Sequence, residues 1–267
     1  MNEAELLFTE IFNCERASLY LERDKPLDKE KAAFVARVLE KRIVAQPLQY
    51  ILGKTEFMGL EFKLNCSVLI PRQETEILVE AVLKIAGGYR RCKILDIGTG
   101  SGNIAISLAK FLPHVQITAT DISQEALNIA QENARLNGVS EKIEFIQSVL
   151  FTVYQTPNTK HQTPITNYQI ILSNPPYIPT GQIRELAAEI KYEPVIALDG
   201  GRDGLDFYRR IAVRSRDYLT PEGFLLLEIG FGQQPGIREI LRNCGNFEIS
   251  EVIKDYSDIE RVVVAKV

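Results

Sequence analysis

The sequence predicts an α/β fold, a mainly parallel sheet with helices on both faces, preceded by a small helical bundle. Three observations carry this. From Lys93 onward, short apolar runs alternate with stretches of helical period; a glycine-rich turn closes the first of those runs; and roughly the first 45 residues show helical spacing alone. A chain of 267 residues suits one large α/β unit with a smaller companion.

At the amino terminus, Leu6, Leu7, Ile11 and Phe12 read as one helix and the residues around Leu19 as a shorter one. Val35, Val38, Leu39 and Ile43 mark a third helix starting near Asp28, a residue suited to cap it. Apolar runs on both sides of Gly59, between Thr55 and Leu64, read as a β-hairpin. Ile70-Pro71-Arg72 then leads into a helix from Glu74 to Ala86. The alternating part follows: strand Ile94 to Ile97, helix Asn103 to Phe111, strand Gln116 to Thr120, helix Gln124 to Leu136, strand Ile143 to Gln147 and strand Gln169 to Ser173. Thr152 to Asn167, polar around Pro157 and Pro164, reads as a mobile surface insertion without a catalytic role. Phe224 to Ile229 is a buried strand, Gln233 to Arg242 a helix and Arg261 to Val267 a final strand. The expected division is a helical unit over residues 1–54, a hairpin linker over 55–73 and the α/β domain over 74–267.

Composition narrows the function. With 45% hydrophobic and 25% charged residues, and a mean hydropathy near zero, this is the balance of a soluble globular chain. No apolar run approaches the ~20 residues that span a bilayer, and acidic Glu3, Glu5 and Glu10 contradict a cationic secretory leader, so a cytoplasmic protein is expected. The net charge of −4 argues against a partner held through phosphates; a protein or small-molecule partner is expected, and no nucleic acid or membrane. Cys14, Cys66, Cys92 and Cys244 are scattered, which reads as buried reduced thiols. His114 and His161 are the only histidines and read as surface residues, leaving little material for a metal centre, and none is expected. A monomer is expected.

The chemistry lies in two short segments. Ile94-Leu95-Asp96-Ile97-Gly98-Thr99-Gly100-Ser101-Gly102-Asn103 ends a buried strand and opens a helix, so glycine backbone and free helix N–H groups meet a ligand at the carboxyl end of a strand. Nicotinamide enzymes use Gly-x-Gly-x-x-Gly, whereas Gly98, Gly100 and Gly102 recur every second residue, a spacing that resembles the methyltransferase turn. Asp121, about twenty residues on, stands where an acidic side chain accepts both ribose hydroxyls of a nucleoside ligand. Ser173-Asn174-Pro175-Pro176-Tyr177 follows another buried strand. Its two prolines remove two backbone donors, so nearby carbonyls and the Asn174 side chain form an acceptor-rich edge suited to an NH2 group. Tyr177 is a candidate to cover the reacting group with its π-face near a sulfonium charge. Together the segments predict methylation of a planar nitrogen by S-adenosylmethionine.

On these residues the chain closely resembles the peptide chain release factor glutamine methyltransferases. The resemblance extends to Pro47 to Gly53, Leu69-Ile70-Pro71-Arg72-Gln73-Glu74-Thr75-Glu76, Tyr192-Glu193-Pro194 and Leu198-Asp199-Gly200-Gly201-Arg202-Asp203-Gly204-Leu205. It implies a seven-stranded Rossmann-like catalytic domain after a helical domain and hairpin linker. It implies transfer of a methyl group to the glutamine amide in the Gly-Gly-Gln loop of class 1 release factors. Gly98, Thr99, Gly100, Ser101, Gly102, Asp121, Leu150 and Asn174 are then expected at the cofactor, Asn174, Pro175, Pro176, Tyr177 and Arg72 at the substrate, and Asn174, Pro175 and Tyr177 in catalysis. Two positions depart from the family pattern: Gln73 stands where proline is usual, and Val149 where an acidic residue usually meets the adenine. The alternatives are an adenine-N6 methyltransferase of DNA or RNA, which calls for a basic stripe, a ribosomal-protein glutamine methyltransferase, and a nicotinamide oxidoreductase or silent binding module, neither of which needs Asn174 to Tyr177.

Overall fold

The computed structural model describes residues 2–21, 26–153, 167–244 and 247–267. Four helices open the chain: α1 (Glu3–Phe12), α2 (Arg16–Leu21), α3 (Lys29–Ile43) and α4 (Leu48–Leu52). Asn2 and Glu5 cap α1 reciprocally, and the Asp28 side chain accepts from the Lys31 N–H to begin α3, as its residue type predicts. Leu7, Val38 and Leu48 form the small core of the bundle. The apolar stripe expected on α3 is buried only at Val38. Leu39 is 53% and Ile43 83% exposed, because the neighbouring helices cover α3 along one narrow line.

The hairpin consists of β1 (Lys54–Phe57) and β2 (Leu60–Lys63), paired antiparallel with Phe57 opposite Leu60. Met58 and Gly59 both have positive φ, the geometry of a two-residue hairpin turn that matches strand twist. Gly59 adopts it freely. Met58 does not, and its N–H is held by the Glu76 carboxylate at 2.7 Å.

Then follow α5 (Thr75–Ala86), β3 (Cys92–Ile97), α6 (Asn103–Phe111), β4 (Val115–Asp121), α7 (Gln124–Leu136), β5 (Ile143–Val149), β6 (Thr152–Val153) and β7 (Tyr168–Ser173). The chain closes with α8 (Asp206–Ser215), β8 (Leu219–Glu228), α9 (Gln234–Asn243), β9 (Glu248–Lys254) and β10 (Glu260–Lys266). The main sheet runs β6-β5-β4-β3-β7-β8-β10-β9. It contains the seven expected strands plus the two-residue β6, which pairs antiparallel with β5. β3 pairs in parallel with both β4 and β7, so the strand order reverses at β3. Antiparallel β9 and β10 finish the far edge.

Alternation of side chains across the pleat builds two cores. Ile170, Leu172, Val262 and Val264 face α5, α6 and α7; Ile171, Leu225, Leu227 and Val263 face α8 and α9. The sequence reading omits α8 and β9. The first is rich in arginine and buries few residues, and the second is a charged edge strand with no fully buried position. Of the polar insertion, Thr152 and Val153 form β6, while 154–166, including His161, lie outside the described residues. All four cysteines are free, but only Cys92 is buried; Cys66 is exposed and Cys14 and Cys244 are half-buried. Among the described residues no helix is long and apolar enough to cross a membrane.

If Glu76 anchors the strained turn, Glu76→Ala leaves the Met58 N–H without its charged acceptor and lowers stability by about 1–2 kcal/mol. Urea denaturation measures this, and an unchanged midpoint would remove the carboxylate from the turn's support.

Candidate active site

Register sets the geometry of the site. Ile97 of β3 pairs with Thr120 of β4 on one side and Ser173 of β7 on the other, so the next residues of all three strands emerge at one level. Those residues begin the glycine turn, include Asp121, and begin the tetrapeptide. This is the crevice at the carboxyl ends of strands where the order reverses, the usual ligand position of such sheets.

A cavity of about 280 Å³ occupies it, lined among others by Gly98, Gly100, Asp121, Ile122, Val149, Leu150, Asn174, Pro175 and Pro176. Gly98 and Gly100 have positive φ, and the space where a side chain would stand is open at both. The Gly98 and Thr99 N–H groups donate to the Thr120 carbonyl, and the Gly100 N–H to Asp121 Oδ2 at 2.9 Å. Asp121 Oδ1 accepts from Ser123 N–H, also at 2.9 Å. Asp121 therefore braces the turn as well as facing the cavity. Burial raises its pKa, opposed by these backbone N–H groups. Thr99 and Ser101 do not line the cavity; both are buried, and the Thr99 hydroxyl donates to Asp96 Oδ2 at 2.6 Å. Gly102 lies behind the turn, where its missing side chain lets it pack on Ala130 of α7. The open glycine shelf, the carboxylate at its side and the apolar slot beyond fit a nucleoside with a polar tail.

A second cavity of about 130 Å³ is lined by Leu69, Arg72, Asn174, Pro175, Tyr177, Ile178, Ile190, Ala197 and Leu198. Asn174, Pro175, Leu69 and Ala197 line both cavities, whereas Pro176 lines only the larger and Tyr177 only the smaller. Burial pushes the Tyr177 phenol up to about 12, so it is neutral. Arg72 is at the second cavity as the resemblance implies, but its guanidinium is engaged by Glu193, which is 4% exposed.

Several residues that shape the site have no role assigned to them by the sequence. Asn174 Nδ2 donates to the Thr75 hydroxyl at 3.2 Å, and Glu228 is a carboxyl buried at the end of β8. Asn133 of α7 donates to the Ser101 and Lys63 carbonyls and accepts from the Lys63 N–H, joining the cofactor turn to the hairpin. Phe207 and Arg210 come to the larger cavity on α8. The segment 198–205 supports the tetrapeptide from behind: a Cβ on Gly200 would lie 2.7 Å from Tyr177 Cα, and one on Gly204 would meet the Tyr177 carbonyl oxygen. Gln233 Nε2 donates to that same carbonyl at 2.9 Å. An apolar strand that ends in Glu is the one cue that would have drawn attention to Glu228.

Burial pushes the carboxyls of Asp96 and Glu228 up to about 7, and one oxygen of each has no hydrogen-bond partner. The folded protein then binds more protons than the unfolded chain between about pH 4 and pH 7. Stability is fully present below that window and falls as pH rises through it, each group contributing on the order of 3 kcal/mol. Urea midpoints across the window should show the decline, and Asp96→Asn should flatten it. A wild-type midpoint that rises over the same range would contradict the buried neutral forms.

Comparison with known proteins gives a family for this arrangement. Residues 73–192 match the family model described as methyltransferase small domain, and residues 1–53 that described as PrmC N-terminal domain. The release factor glutamine methyltransferase of Geobacter sulfurreducens is 40% identical over 266 residues, covering 99% of this chain and 89% of that protein. The enzyme of the same name from Moorella thermoacetica is 38% identical over 263 residues, covering 98% and 90%. A solved methyltransferase structure from Pyrococcus furiosus shares the fold, with a TM-score of 0.55 at 20% identity over 86% of this chain and 96% of that one. At such identity over nearly the whole length of both proteins, the chain belongs to the release factor glutamine methyltransferase family.

Proposed function

We propose that the protein transfers a methyl group from S-adenosylmethionine to the side-chain amide nitrogen of the glutamine in the Gly-Gly-Gln motif of class 1 release factors. The observation that carries this reading is the junction of two cavities at Asn174 and Pro175. The larger suits the nucleoside and the smaller an amide side chain. S-adenosylmethionine, when bound, supplies a methyl group made electrophilic by its sulfonium. The chain's own work is orientation. Asn174 Oδ1 accepts one amide proton and a carbonyl oxygen of the tetrapeptide the other, which fixes the plane of the substrate nitrogen. Pro175 and Pro176 present no N–H to compete. These acceptors also stabilise the positive charge that grows on nitrogen, and the methylated amide then releases its proton to water.

Gly98 and Gly100 give the cofactor tail close access to backbone, and Asp121 has lone pairs left for the ribose hydroxyls. Val149 offers no acceptor to the adenine. The Ser148 hydroxyl is turned to the carbonyls of Leu150 and Thr152, and the Gln147 NH2 donates to that of Ile122, so neither donor is free for the adenine ring nitrogens. We assign the adenine to apolar contact with Ile122, Val149, Leu150 and Phe207. The bundle of α1 to α4 is the release-factor recognition unit in this reading, supported by the exposed apolar side chains of Leu39, Ile43 and Val44. Action in the cytoplasm follows from the substrate.

Two experiments test the proposal. Incubation with methyl-labelled S-adenosylmethionine and purified release factor should put label on the glutamine of Gly-Gly-Gln, and Asn174→Ala should slow single-turnover transfer roughly 100-fold. Label on nucleic acid instead, or an Ala variant near the wild-type rate, would defeat it. Ile43→Asp, at an exposed position, should raise KM for release factor about tenfold while leaving kcat and cofactor affinity in place; an unchanged KM would free α3 from any role in recognition.

A further inference from the structure

A positive charge with no part in methyl transfer stands at the edge of the larger cavity. Beyond that edge lies a further cavity of about 380 Å³, and Val149, Leu150 and Arg210 line both, so these three residues form the boundary. Asp121 lines only the larger one. Arg210 comes from α8, where Phe207, Arg210 and Arg214 recur at spacings of three and four and so share one face. Its guanidinium lies over the Phe207 ring, 5.6 Å from the centroid. The charges of the nearby arginines are taken: Arg209 pairs with Asp203 and Asp206, and Arg214 with Asp217. Among the described residues no carboxylate pairs with Arg210.

An adenine offers ring nitrogens with free lone pairs and one exocyclic amino group. In the slot of Ile122, Val149, Leu150 and Phe207 the ring nitrogens meet no donor from β5, because the Ser148 hydroxyl and the Gln147 NH2 are turned to backbone carbonyls. Arginine carries five N–H donors and no acceptor, so it can meet a ring nitrogen but not the amino group. With the ribose at Asp121, the purine edge remote from the ribose, which carries N1, is the one directed to the boundary. We propose that Arg210 is a cofactor-binding residue whose guanidinium, held over Phe207, donates to N1 of the adenine. The inference rests on the reading of the larger cavity as the S-adenosylmethionine site, and its test separates the two.

The test is calorimetry on the full chain with S-adenosylhomocysteine, the demethylated and unreactive form of the cofactor, and with its 1-deaza and 7-deaza analogues. Arg210→Ala should raise the Kd for S-adenosylhomocysteine about tenfold, the loss expected for one hydrogen bond to a charged group. The urea midpoint should stay in place, because the side chain is exposed. Arg210→Lys keeps the charge without the planar fork and should recover only part of the affinity. The wild-type protein should bind the 1-deaza analogue about tenfold more weakly and the 7-deaza analogue within about twofold. In Arg210→Ala the 1-deaza penalty should fall below about twofold, because the donor that N1 would meet is already gone. An Arg210→Ala Kd within about twofold of wild type, or a 1-deaza penalty equal in both proteins, overturns the contact. A penalty that follows the 7-deaza analogue instead overturns the assignment to N1. Folded wild-type protein that binds no S-adenosylhomocysteine would overturn the reading of the cavity itself.

Discussion

Everything at the site depends on one constraint, the parallel pairing of β3 with β4 on one side and β7 on the other. Ile97 stands opposite both Thr120 and Ser173. The glycine turn, Asp121 and the Asn-Pro-Pro-Tyr segment consequently leave the sheet at the same height. A slip of one residue in either pairing would turn the buried side chains of a strand to the opposite face and shift one of the three segments away from the others. The near-continuous apolar character of β3, β7 and β8 prevents such a slip, because both faces of these strands are covered by helices.

On that frame, the loops are held by polar links that reach far along the chain. The stretch from Leu69 to Glu76 shows how one motif serves three purposes. Arg72 pairs with Glu193, Thr75 bonds Asn174, and Glu76 takes the N–H of Met58 in the hairpin. Gly200, Gly204 and Gln233 pack or bond against the backbone of the tetrapeptide from the opposite side. Such links work against stability in part. Glu193 and Glu228 are carboxylates removed from water, each with one oxygen lacking a partner, and burial raises the pKa of both.

The helical bundle is not independent of the site. Arg42 of α3 bonds Glu3 and Glu189, and the Tyr192 hydroxyl donates to the Val44 carbonyl. Glu189 and Tyr192 precede Pro194, Ile196 and Ala197, which line the larger cavity. The segment between the tetrapeptide and Gly200 therefore runs from the bundle to the cavity mouth. These two contacts with the bundle, the Arg42–Glu189 ion pair and the Tyr192–Val44 hydrogen bond, lie at the surface and are individually weak, the first of them sensitive to salt.

Local patterns in the sequence determined the elements whose residues announce themselves. The alternation after Lys93 marked the sheet, the spacing of Gly98, Gly100 and Gly102 marked the turn, Asp28 marked the start of α3, and Asn174 to Tyr177 marked a segment that lines the two cavities. Each of these depends on neighbours a few residues away, and so is visible without the fold. Only the tertiary structure decided which residues stand around them. Thr75 reaches Asn174 from about a hundred residues away, and Asn133 joins Lys63 to Ser101. It also decided that Thr99 and Ser101 turn inward while Gly98 and Gly100 face the cavity, and that Leu39 and Ile43 stay in solvent. A helical period shows which side chains share a face, but what covers that face depends on contacts made elsewhere in the chain.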